Sequence, residues 1–474
     1  MIRRIGLAGG LALFIVCLLL APPAGMTLPA WRAAAVGILM AIWWISEAIP
    51  IPATALIPLV LFPVLDVVPI RDAAAPYANP VIFLFLGGFL IAGALRRCGL
   101  HERMALSIVA LVGTRPAAIV AGFMAATAFL SMWVSNTATV VMMFPMALSV
   151  IVLAESTDHG PGPGFEGALL LGLAYAANIG GMATLIGTPP NAVLAGFLSE
   201  TTGREIGFVQ WMGLGLPVVL IALPVAWWYL VRIQHRLPTA PIAGGGPIFK
   251  ERLAAKPPPS RAEWTVGIVT ALTALAWIIR PLLETRLPGL SDAGIAIGGA
   301  LLMFVIPVER RSFAPALTWE EAEKLPWSVL ILFGGGLSLA GAVERTGLAG
   351  WIGGAMEPLQ SLPIIVVTAA ITATVILLTE LTSNTATAAA FLPVVGAIAV
   401  GMGKDPLLLA LPTALAASCA FMLPVATPPN AIVFGSGRLT IPQMARAGIW
   451  MNLLMLVVIL AAVFLIGVPL FRLR

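Results

Sequence analysis

The sequence Ser135-Asn136-Thr137-Ala138-Thr139 occurs a second time as Ser383-Asn384-Thr385-Ala386-Thr387, at an offset of 248 residues. A second motif, Thr188-Pro189-Pro190-Asn191-Ala192, recurs as Thr427-Pro428-Pro429-Asn430-Ala431, at an offset of 239 residues. Both motifs place short polar side chains inside apolar stretches, and they occur in the same order in each half. The chain therefore consists of two halves that share one arrangement of polar breaks in apolar helices.

The repeat extends to the segments that precede the first motif. The offset of 248 also aligns Phe85–Leu100 with Phe333–Leu348, where nine residues are identical. Five predicted crossings separate the two Ser-Asn-Thr motifs, and an odd number gives the two halves opposite orientations in a membrane. Inverted repeats with interrupted helices are typical of secondary transporters, whose substrate site lies between the halves near the bilayer midplane.

The composition indicates a membrane protein. Of the 474 residues, 60% are hydrophobic and 10% are charged, and the mean hydropathy is +1.02. These values are typical of integral membrane proteins, and they exclude soluble enzymes and nucleic-acid-binding proteins. The three Cys and three His residues are scattered along the chain, so neither a disulfide framework nor a zinc site is predicted.

Apolar runs long enough to cross the hydrocarbon core as helices predict about eleven crossings. They lie near 5–22, 30–50, 51–65, 80–96, 167–198, 209–231, 263–283, 290–308, 327–343, 406–434 and 447–470. Two further apolar stretches, 115–153 and 362–401, are too long for one crossing and carry a Ser-Asn-Thr motif at their centre. We expect each to be a re-entrant hairpin of two half-helices, the first entering from the inside and the second from the outside. The predicted fold class is an all-α polytopic membrane protein.

Basic residues predict the orientation of the chain. With the N-terminus in the cytoplasm, 17 of the 26 Lys and Arg residues fall in cytoplasmic loops and 9 fall outside, as the positive-inside rule requires. We therefore expect a multi-pass protein of the inner or plasma membrane, in which the net charge of +5 is a topology signal. The predicted divisions are an N-terminal transmembrane helix (1–29), a first repeat (30–235), a cytoplasmic loop (236–262) and a second repeat (263–474).

The Ser-Asn-Thr motifs predict anion sites. Ser and Asn are preferred N-cap residues, so each motif indicates where the second half-helix of a hairpin begins. The unpaired backbone N–H groups and the partial positive charge of a helix N-terminus suit a carboxylate. Two such ends in opposed hairpins fit a substrate with a carboxylate at each end. Apart from Arg115 at the outer end of the first hairpin, no Lys or Arg lies inside the hairpins or the Thr-Pro-Pro-Asn motifs to neutralise that substrate.

The Thr-Pro-Pro-Asn motifs predict cation ligands. Two successive prolines break a helix and free the carbonyls just upstream, at Gly187 and Ala426. Uncharged carbonyl, hydroxyl and amide oxygens suit a hard monovalent cation, and unwound carbonyls coordinate Na⁺ in transporters of this architecture. Ser131 and Thr379, one helical turn before each Ser-Asn-Thr motif, add a hydroxyl on the same face. One copy of a motif has ordinary structural explanations, but two symmetric copies favour a binding site.

Glu47 and Glu380 are acidic residues within apolar stretches. Intramembrane acids are functional candidates by default, and Glu380 could carry a coupling proton. The repeat places Met132 at the equivalent position, however, so we interpret Glu380 as a brace for its hairpin. Glu47 precedes Ile49-Pro50-Ile51-Pro52 at the end of a span, where we expect a structural role.

Taken together, the motifs resemble the divalent anion/sodium symporter family, which includes bacterial sodium–dicarboxylate carriers and the animal citrate and sulfate carriers. The resemblance covers nearly the whole chain and rests on Trp43–Pro52 and on both copies of the two motifs. It implies a homodimer in which a scaffold holds a mobile transport domain that moves by an elevator motion.

The resemblance also implies ligand sets, which we state as expectations. One sodium ion would be held by Ser131, Ser135, Asn136 and the backbone of Gly187, and a second by Thr379, Thr382, Asn384 and the backbone of Ala426. The substrate would meet Ser135, Asn136, Thr137, Thr188, Ser383, Asn384, Thr385 and Thr427, with Pro428 alongside.

The predicted function is sodium-coupled symport of a divalent anion, with a C4-dicarboxylate such as succinate, malate or fumarate as the expected substrate. Citrate and sulfate also satisfy the pattern. The expected co-substrate is sodium, at two sites or more, with no organic cofactor, no enzymatic activity and no nucleic-acid partner. Sodium is expected to bind first, because a dianion in low dielectric needs a neutralising charge. The alternatives are a sodium-independent dicarboxylate exchanger and an anion channel.

Overall fold

A computed structural model describes residues 2–111, 113–155, 164–242, 247–283, 286–309, 313–356 and 361–473. Within these ranges the chain is helical, which confirms the predicted all-α class. The helices of the first half are α1 (Ile2–Leu19), α2 (Leu28–Ser46), α3 (Ile51–Thr54), α4 (Ile57–Val64), α5 (Ile70–Ala74), α6 (Pro80–Cys98), α7 (Leu100–Ala110), α8 (Pro116–Ser131), α9 (Asn136–Glu155), α10 (Gly164–Gly181), α11 (Pro189–Thr202) and α12 (Phe208–Trp228). The following helices are α13 (Pro247–Ala255), α14 (Arg261–Leu283), α15 (Asp292–Val305), α16 (Trp319–Glu323), α17 (Trp327–Arg345), α18 (Leu348–Ala355), α19 (Ile364–Thr379), α20 (Asn384–Gly401), α21 (Leu407–Ala417), α22 (Pro428–Phe434), α23 (Ile441–Ala462) and α24 (Val468–Phe471).

The sequence repeat is also a repeat of helices. The succession from α6 to α12 in the first half corresponds to that from α17 to α23 in the second. Helices α8 and α19 begin and end at an offset of 248, and α11 and α22 begin at an offset of 239. In each half the last helix of the succession continues into a π-helical segment, Tyr229–Gln234 after α12 and Val463–Gly467 after α23.

Each predicted hairpin is a pair of helices joined by a short turn. Helices α8 and α9 flank residues 132–135, and α19 and α20 flank residues 380–383. The second helix of each pair begins at the Asn of the Ser-Asn-Thr motif, as N-cap preference predicts. The motifs therefore mark two helix N-termini, one in each half.

The predicted crossings 167–198 and 406–434 are each two helices rather than one. Helix α10 ends at Gly181 and α11 begins at Pro189, while α21 ends at Ala417 and α22 begins at Pro428. We call the two intervening stretches the first unwound segment (182–188) and the second unwound segment (418–427). Proline at the first two positions of α11 and α22 explains the restart, because proline lacks an N–H and fits only the first helical turn.

The helix lengths suit a bilayer. In the described part of the chain, eight helices or continuous helical stretches are long and apolar enough to span a membrane, and five shorter apolar helices accompany them. The shorter set contains the first helix of each hairpin (α8 and α19), together with α15, α21 and the stretch Ile51–Val64. Short helices in these places agree with hairpins and broken spans, whereas the number of crossings remains a prediction.

A glycine with positive φ joins a long helix to a short one at matching places in the two halves. Gly99 (φ 76°) lies between α6 and α7, and Gly347 (φ 79°) lies between α17 and α18. Glycine adopts this left-handed conformation without steric cost, so the chain turns sharply at both points. Helix α7 then packs on α8 and α18 packs on α20, so each short helix contacts a hairpin.

The centre of the molecule is formed by the broken helices. Every residue of α21, almost every residue of α10 and the stretch 190–198 of α11 are buried. Helix α10 packs on α8, α9 and α22, and α21 packs on α19 and α20. The unwound segments therefore lie against the turns of the two hairpins, where the motifs of both halves meet. Of the predicted cytoplasmic loop, residues 243–246 lie outside the described residues, and the loop also contains α13.

Candidate functional site

A cavity of ≈ 1550 Å³ lies between the two halves. Twelve of the fourteen candidate residues border it: Ser135, Asn136, Thr137, Gly187, Thr188, Thr382, Ser383, Asn384, Thr385, Ala426, Thr427 and Pro428. The other two, Ser131 and Thr379, are fully buried and hydrogen-bonded to Asn136 and Asn384 respectively. The structure thus brings both copies of both motifs to one cavity.

The first half places three oxygen atoms together at its hairpin. The Ser131 Oγ atom lies 2.6 Å from Asn136 Oδ1 and 2.8 Å from the Ala177 carbonyl oxygen in α10. A serine hydroxyl has one proton to donate, so only one of these two acceptors is satisfied by it at a time. We call these three oxygens, with the groups that carry them, the first oxygen cluster.

The second half repeats this arrangement. The Thr379 Oγ1 atom lies 2.8 Å from Asn384 Oδ1 and 2.7 Å from the Ala417 carbonyl oxygen in α21. Again one hydroxyl proton faces two acceptors. This second oxygen cluster is chemically equivalent to the first, although threonine replaces serine.

Both clusters fit a monovalent cation. If the hydroxyl donates to the helix carbonyl, then the hydroxyl lone pairs and the Asn Oδ1 atom are left to face a cation without a competing proton. Uncharged oxygens of this kind are ligands for hard cations. A Cβ atom added at Gly181 would lie 2.7 Å from Asn136 Oδ1 and 3.1 Å from the Gly187 carbonyl oxygen. The missing side chain therefore leaves a space bordered by two of the predicted ligands of the first sodium ion.

Two asparagines hold the unwound segments in shape. Asn191 Nδ2 donates to the carbonyl oxygens of Gly181 and Thr184, at 3.1 and 2.8 Å. Asn430 Nδ2 donates to the carbonyl oxygens of Ala420 and Leu423, at 3.2 and 3.0 Å. Both side chains are fully buried. The Asn of each Thr-Pro-Pro-Asn motif therefore binds carbonyls that the break in the helix has freed.

Four helix N-termini border the cavity, but they differ as anion sites. In α9 and α20, the first N–H groups with backbone partners are those of Thr139 and Thr387, which donate to Ser135 and Ser383 carbonyl oxygens. The N–H groups before them are oriented toward the helix start, where they suit an anion. Helices α11 and α22 begin with two prolines, which have no N–H to offer. The Ser-Asn-Thr ends are therefore the stronger candidates for carboxylate binding.

Thr382 differs from the other candidates. Its hydroxyl donates to the Leu378 carbonyl oxygen at 2.9 Å and lies 2.5 Å from Thr387 Oγ1. The offset of 248 places Val134, which has no hydroxyl, at the corresponding position of the first half. The described contacts therefore engage the Thr382 hydroxyl within its own hairpin rather than in the second oxygen cluster.

Charge is confined to the mouth of the cavity. The charged side chains that border it are Glu47, Arg96, Glu102, Arg252, Lys256 and Lys324. None of these residues lies in a hairpin or an unwound segment, and the four basic ones belong to loops that the charge distribution assigns to the cytoplasm. His101 also borders the mouth, and burial lowers the pKa of its imidazole. The motif residues face the cavity as neutral groups.

The two intramembrane acids have structural partners. The Glu47 carboxylate pairs with Arg3, with Oε2 2.9 Å from Nη2. The Glu380 carboxylate accepts hydrogen bonds from the backbone N–H groups of Phe421, Met422 and Leu423 at 2.7–3.2 Å. It also accepts a hydrogen bond from Asn452 Nδ2 at 2.8 Å. Glu380 thus fastens its hairpin to the second unwound segment through hydrogen bonds to both of its carboxylate oxygens.

Sequence reasoning missed three kinds of contact residue. Asn178, in the last turns of α10, lies within hydrogen-bonding distance of both halves. Thr184 donates its hydroxyl to the Met132 carbonyl oxygen at 2.6 Å. Gly215 of α12 and Gly448 of α23 allow these helices to pack against the unwound segments, because a Cβ atom at either would collide with segment backbone. The two glycines are related by an offset of 233, which neither motif reveals.

Comparison with known protein families matches residues 4–473 to the family described as the sodium:sulfate symporter transmembrane region. A sodium-dependent dicarboxylate transporter, SdcS, of Staphylococcus saprophyticus is 43% identical over 478 residues, which cover 98% of this chain and 92% of that protein. SdcS of Staphylococcus aureus is 42% identical over 471 residues, with 98% and 91% covered.

Two solved structures resemble the fold. The YdaH transporter of Alcanivorax borkumensis has a TM-score of 0.64 and 16% identity, with 94% of this chain and 100% of that one covered. MtrF of Neisseria gonorrhoeae, described among antimetabolite efflux pumps, has a TM-score of 0.57 and 13% identity, with 96% and 98% covered. At these identities the likeness concerns the fold alone.

Proposed function

The chain belongs to the sodium:sulfate symporter family, and from this premise we propose that it is a sodium-coupled carrier of a C4-dicarboxylate such as succinate, malate or fumarate. The family match confirms the resemblance predicted from the motifs. Relatives of 42–43% identity are named sodium-dependent dicarboxylate transporters, which supports the substrate class. The protein is a transporter and not an enzyme.

The observation that carries the proposal is the pair of oxygen clusters. Each has one hydroxyl proton for two acceptors, and each borders or underlies the same cavity. A sodium ion in each cluster would replace the missing donors. We assign Ser131, Ser135, Asn136 and the Gly187 carbonyl to one ion, and Thr379, Thr382, Asn384 and the Ala426 carbonyl to the other. Because its hydroxyl is engaged elsewhere, Thr382 would contribute through its backbone.

The substrate carboxylates are assigned to the N-termini of α9 and α20. Ser135, Asn136 and Thr137 would bind one carboxylate, and Ser383, Asn384 and Thr385 the other, with Thr188, Thr427 and Pro428 completing the site. Each Asn then contacts sodium through its side-chain oxygen and the substrate through its N–H groups. This shared use is the physical basis of coupling, since bound sodium supplies the positive charge that the neutral floor of the cavity lacks.

Sodium therefore binds before the dianion. The membrane potential then acts on the net charge of the loaded carrier. Each net positive charge that moves inward gains about 2.3 kcal/mol per 100 mV. Uptake with more than two sodium ions per dianion is therefore electrogenic. We assign the N-terminus and the mouth of the cavity to the cytoplasm, and propose a homodimer in which the hairpins and broken helices move against a scaffold.

The test is succinate uptake by proteoliposomes that contain the purified chain. An inward sodium gradient is expected to drive saturable accumulation, and a potassium gradient is not. Uptake without sodium, driven by dicarboxylate loaded inside the vesicles, would instead identify an exchanger, and flux that does not saturate would identify a channel. Asn136→Ala and Asn384→Ala are each expected to abolish uptake. If either variant transports normally, the site assignment is wrong.

A further inference from the structure

A single side chain lies between the first oxygen cluster and the unwound segment of the other half. Asn178, in the last turns of α10, is completely buried. Its Oδ1 atom lies 3.4 Å from Asn136 Nδ2, and its Nδ2 atom lies 3.0 Å from the Ala420 carbonyl oxygen and 3.5 Å from Thr427 Oγ1. The partners decide the orientation of the amide, because a flipped group would place its oxygen against the Ala420 carbonyl.

These contacts form a continuous path. The Ser131 hydroxyl reaches Asn136 Oδ1, and the Nδ2 atom of the same Asn136 amide reaches Asn178. Asn178 in turn reaches Thr427, whose hydroxyl also accepts the Asn430 N–H at 3.3 Å. A predicted sodium ligand of the first half is therefore connected to a predicted substrate ligand of the second half.

The path has no counterpart in the other direction among the described residues. The two cluster carbonyls, those of Ala177 and Ala417, are related by an offset of 240, which places Ser418 opposite Asn178. The buried Ser418 hydroxyl has no hydrogen-bond partner among the described residues. The second oxygen cluster uses the Ala417 carbonyl oxygen as an acceptor, but no amide continues from it. The connection between the halves is therefore asymmetric, although the two clusters are alike.

The bond lengths indicate where the path can tighten. The Ser131–Asn136 distance is short at 2.6 Å, whereas the two links on either side of Asn178, at 3.4 and 3.5 Å, are near the limit of a hydrogen bond. A cation on Asn136 Oδ1 polarises that amide and makes its Nδ2 group a stronger donor to Asn178. Hydrogen bonds in a chain strengthen one another in this way.

We propose that Asn178 is the positioning residue that couples sodium binding at the first oxygen cluster to substrate binding at Thr427. This inference rests on the proposed function. Sodium at the first cluster shortens the Asn136–Asn178 contact, and Asn178 then fixes the Thr427 hydroxyl and the Ala420 carbonyl in the geometry that receives the substrate. Asn178 borders the cavity, but the role proposed for it is to position Thr427 rather than to bind sodium or the dicarboxylate.

The experiment measures binding of radiolabelled succinate to the purified full-length chain across a sodium titration at constant ionic strength. In the wild type, sodium is expected to lower the succinate Kd. In Asn178→Ala, the ratio of Kd at low sodium to Kd at saturating sodium should shrink by at least about fivefold, the lower bound of a typical coupling. The thermal stabilisation by sodium alone should remain, because the first cluster keeps its own oxygens.

Two further variants separate coupling from structure. Asn178→Asp keeps the acceptor for Asn136 but loses the donor to Ala420 and Thr427, so it should uncouple sodium from succinate even where the alanine variant fails to fold. Thr413→Val removes the hydroxyl of another fully buried residue, which bonds its own helix at Leu409 and lies outside the path, and it should leave the Kd ratio unchanged.

The outcomes are distinct. If the succinate Kd of the wild type does not change with sodium concentration, the proposed function is overturned. If sodium lowers the succinate Kd of the wild type, and a folded Asn178→Ala or Asn178→Asp variant shows the same Kd ratio, the inference is overturned but the proposed function is not. A variant that weakens succinate equally at every sodium concentration would also overturn it, because a merely structural role lowers affinity without changing the ratio.

Discussion

The two unwound segments occupy equivalent places in the repeat but are held by different means. In the first, every residue from Met182 to Thr188 is buried, and Gly181 and Gly187 approach so closely that a Cβ atom on Gly187 would collide with Gly181. In the second, the corresponding residues are Ala420 and Ala426, and Val425 is 81% exposed. Both segments border the cavity, but the first is closed by glycine contacts, whereas the second has an exposed side chain.

The polar contacts between hairpin and unwound segment also differ, because the contacting side chain comes from the segment in one half and from the hairpin in the other. In the first half the side chain of the unwound segment reaches the hairpin, through Thr184 to the Met132 carbonyl. In the second half the side chain of the hairpin reaches the unwound segment, through Glu380 to three successive N–H groups. Leu423 and Glu380 stand where Thr184 and Met132 stand in the other half. Equivalent oxygen clusters are thus supported by a neutral contact on one side and by a charge on the other.

The largest effect is expected when this charge is removed. In Glu380→Gln one carboxylate oxygen becomes an NH2 group that faces backbone N–H donors, so the donors on that side lose their acceptor. Since bonds to charged groups contribute about 1.5–3 kcal/mol each, we expect a loss of roughly 3 kcal/mol of stability or more and no uptake. Thermal unfolding in detergent, followed by tryptophan fluorescence, measures the first, and vesicle uptake the second.

A matched control is Asn452→Leu, which removes one of the four donors to Glu380 and keeps the charge. It should lower stability by less than Glu380→Gln does. If Glu380→Gln unfolded at the wild-type temperature and still transported succinate, the second segment would not depend on the carboxylate, and the contrast between the halves would lose its basis.

The next effect tests the closed shape of the first segment. Gly181→Ala places a methyl group 2.7 Å from Asn136 Oδ1 and 3.1 Å from the Gly187 carbonyl. Overpacking costs about 1–3 kcal/mol, which corresponds to as much as roughly a hundredfold increase in the sodium concentration for half-maximal uptake. The reverse change in the other half, Ala420→Gly, opens space and should shift this concentration little. Equal effects from both changes would show that the segments do not differ in packing.

The hydroxyl groups of the two oxygen clusters are a feature that both halves share. Ser131→Ala and Thr379→Val each remove the hydroxyl of one oxygen cluster without adding bulk. Because the two clusters have the same distances within 0.2 Å, both variants should raise the half-saturating sodium concentration by a similar factor, about tenfold for a ligand worth about 1.5 kcal/mol. Sodium titrations of uptake measure both. A strong effect from one variant and none from the other would limit the symmetry to the backbone.

Much of this comparison could be predicted from the sequence, because identical motifs at two constant offsets reveal equivalent positions. The hairpins, the starts of α9 and α20, and the gathering of twelve candidate residues around one cavity followed from them. The offsets change from 248 to 239 and then to 233, as the loops between helices differ in length. Equivalences such as Gly215 and Gly448 are hidden wherever the motifs no longer set the alignment.

The asymmetric residues could not be predicted for a different reason. Asn178 and Thr184 are single polar residues in apolar segments. The repeat places Leu423 opposite Thr184, and it places Ser418, whose hydroxyl has no partner in the described part of the chain, opposite Asn178. The sequence indicates that Glu380 is a brace, but three of its four donors are backbone N–H groups, which carry no signal in a side-chain pattern. Sequence identifies what the halves have in common, and packing decides how each half is supported.

The smallest expected effect tests the neutral fastening of the first half. Thr184→Val keeps the shape of the side chain but leaves the Met132 carbonyl without the hydroxyl that lies 2.6 Å away, at a cost of about 1 kcal/mol. We expect a lower unfolding temperature and a sodium requirement raised by no more than about fivefold. The control is Thr413→Val, since the Thr413 hydroxyl bonds its own helix at Leu409, where the backbone ladder persists without it. If Thr184→Val matched Glu380→Gln in severity, the first segment would depend on its polar contact as strongly as the second, and closure by glycine packing would not explain its stability.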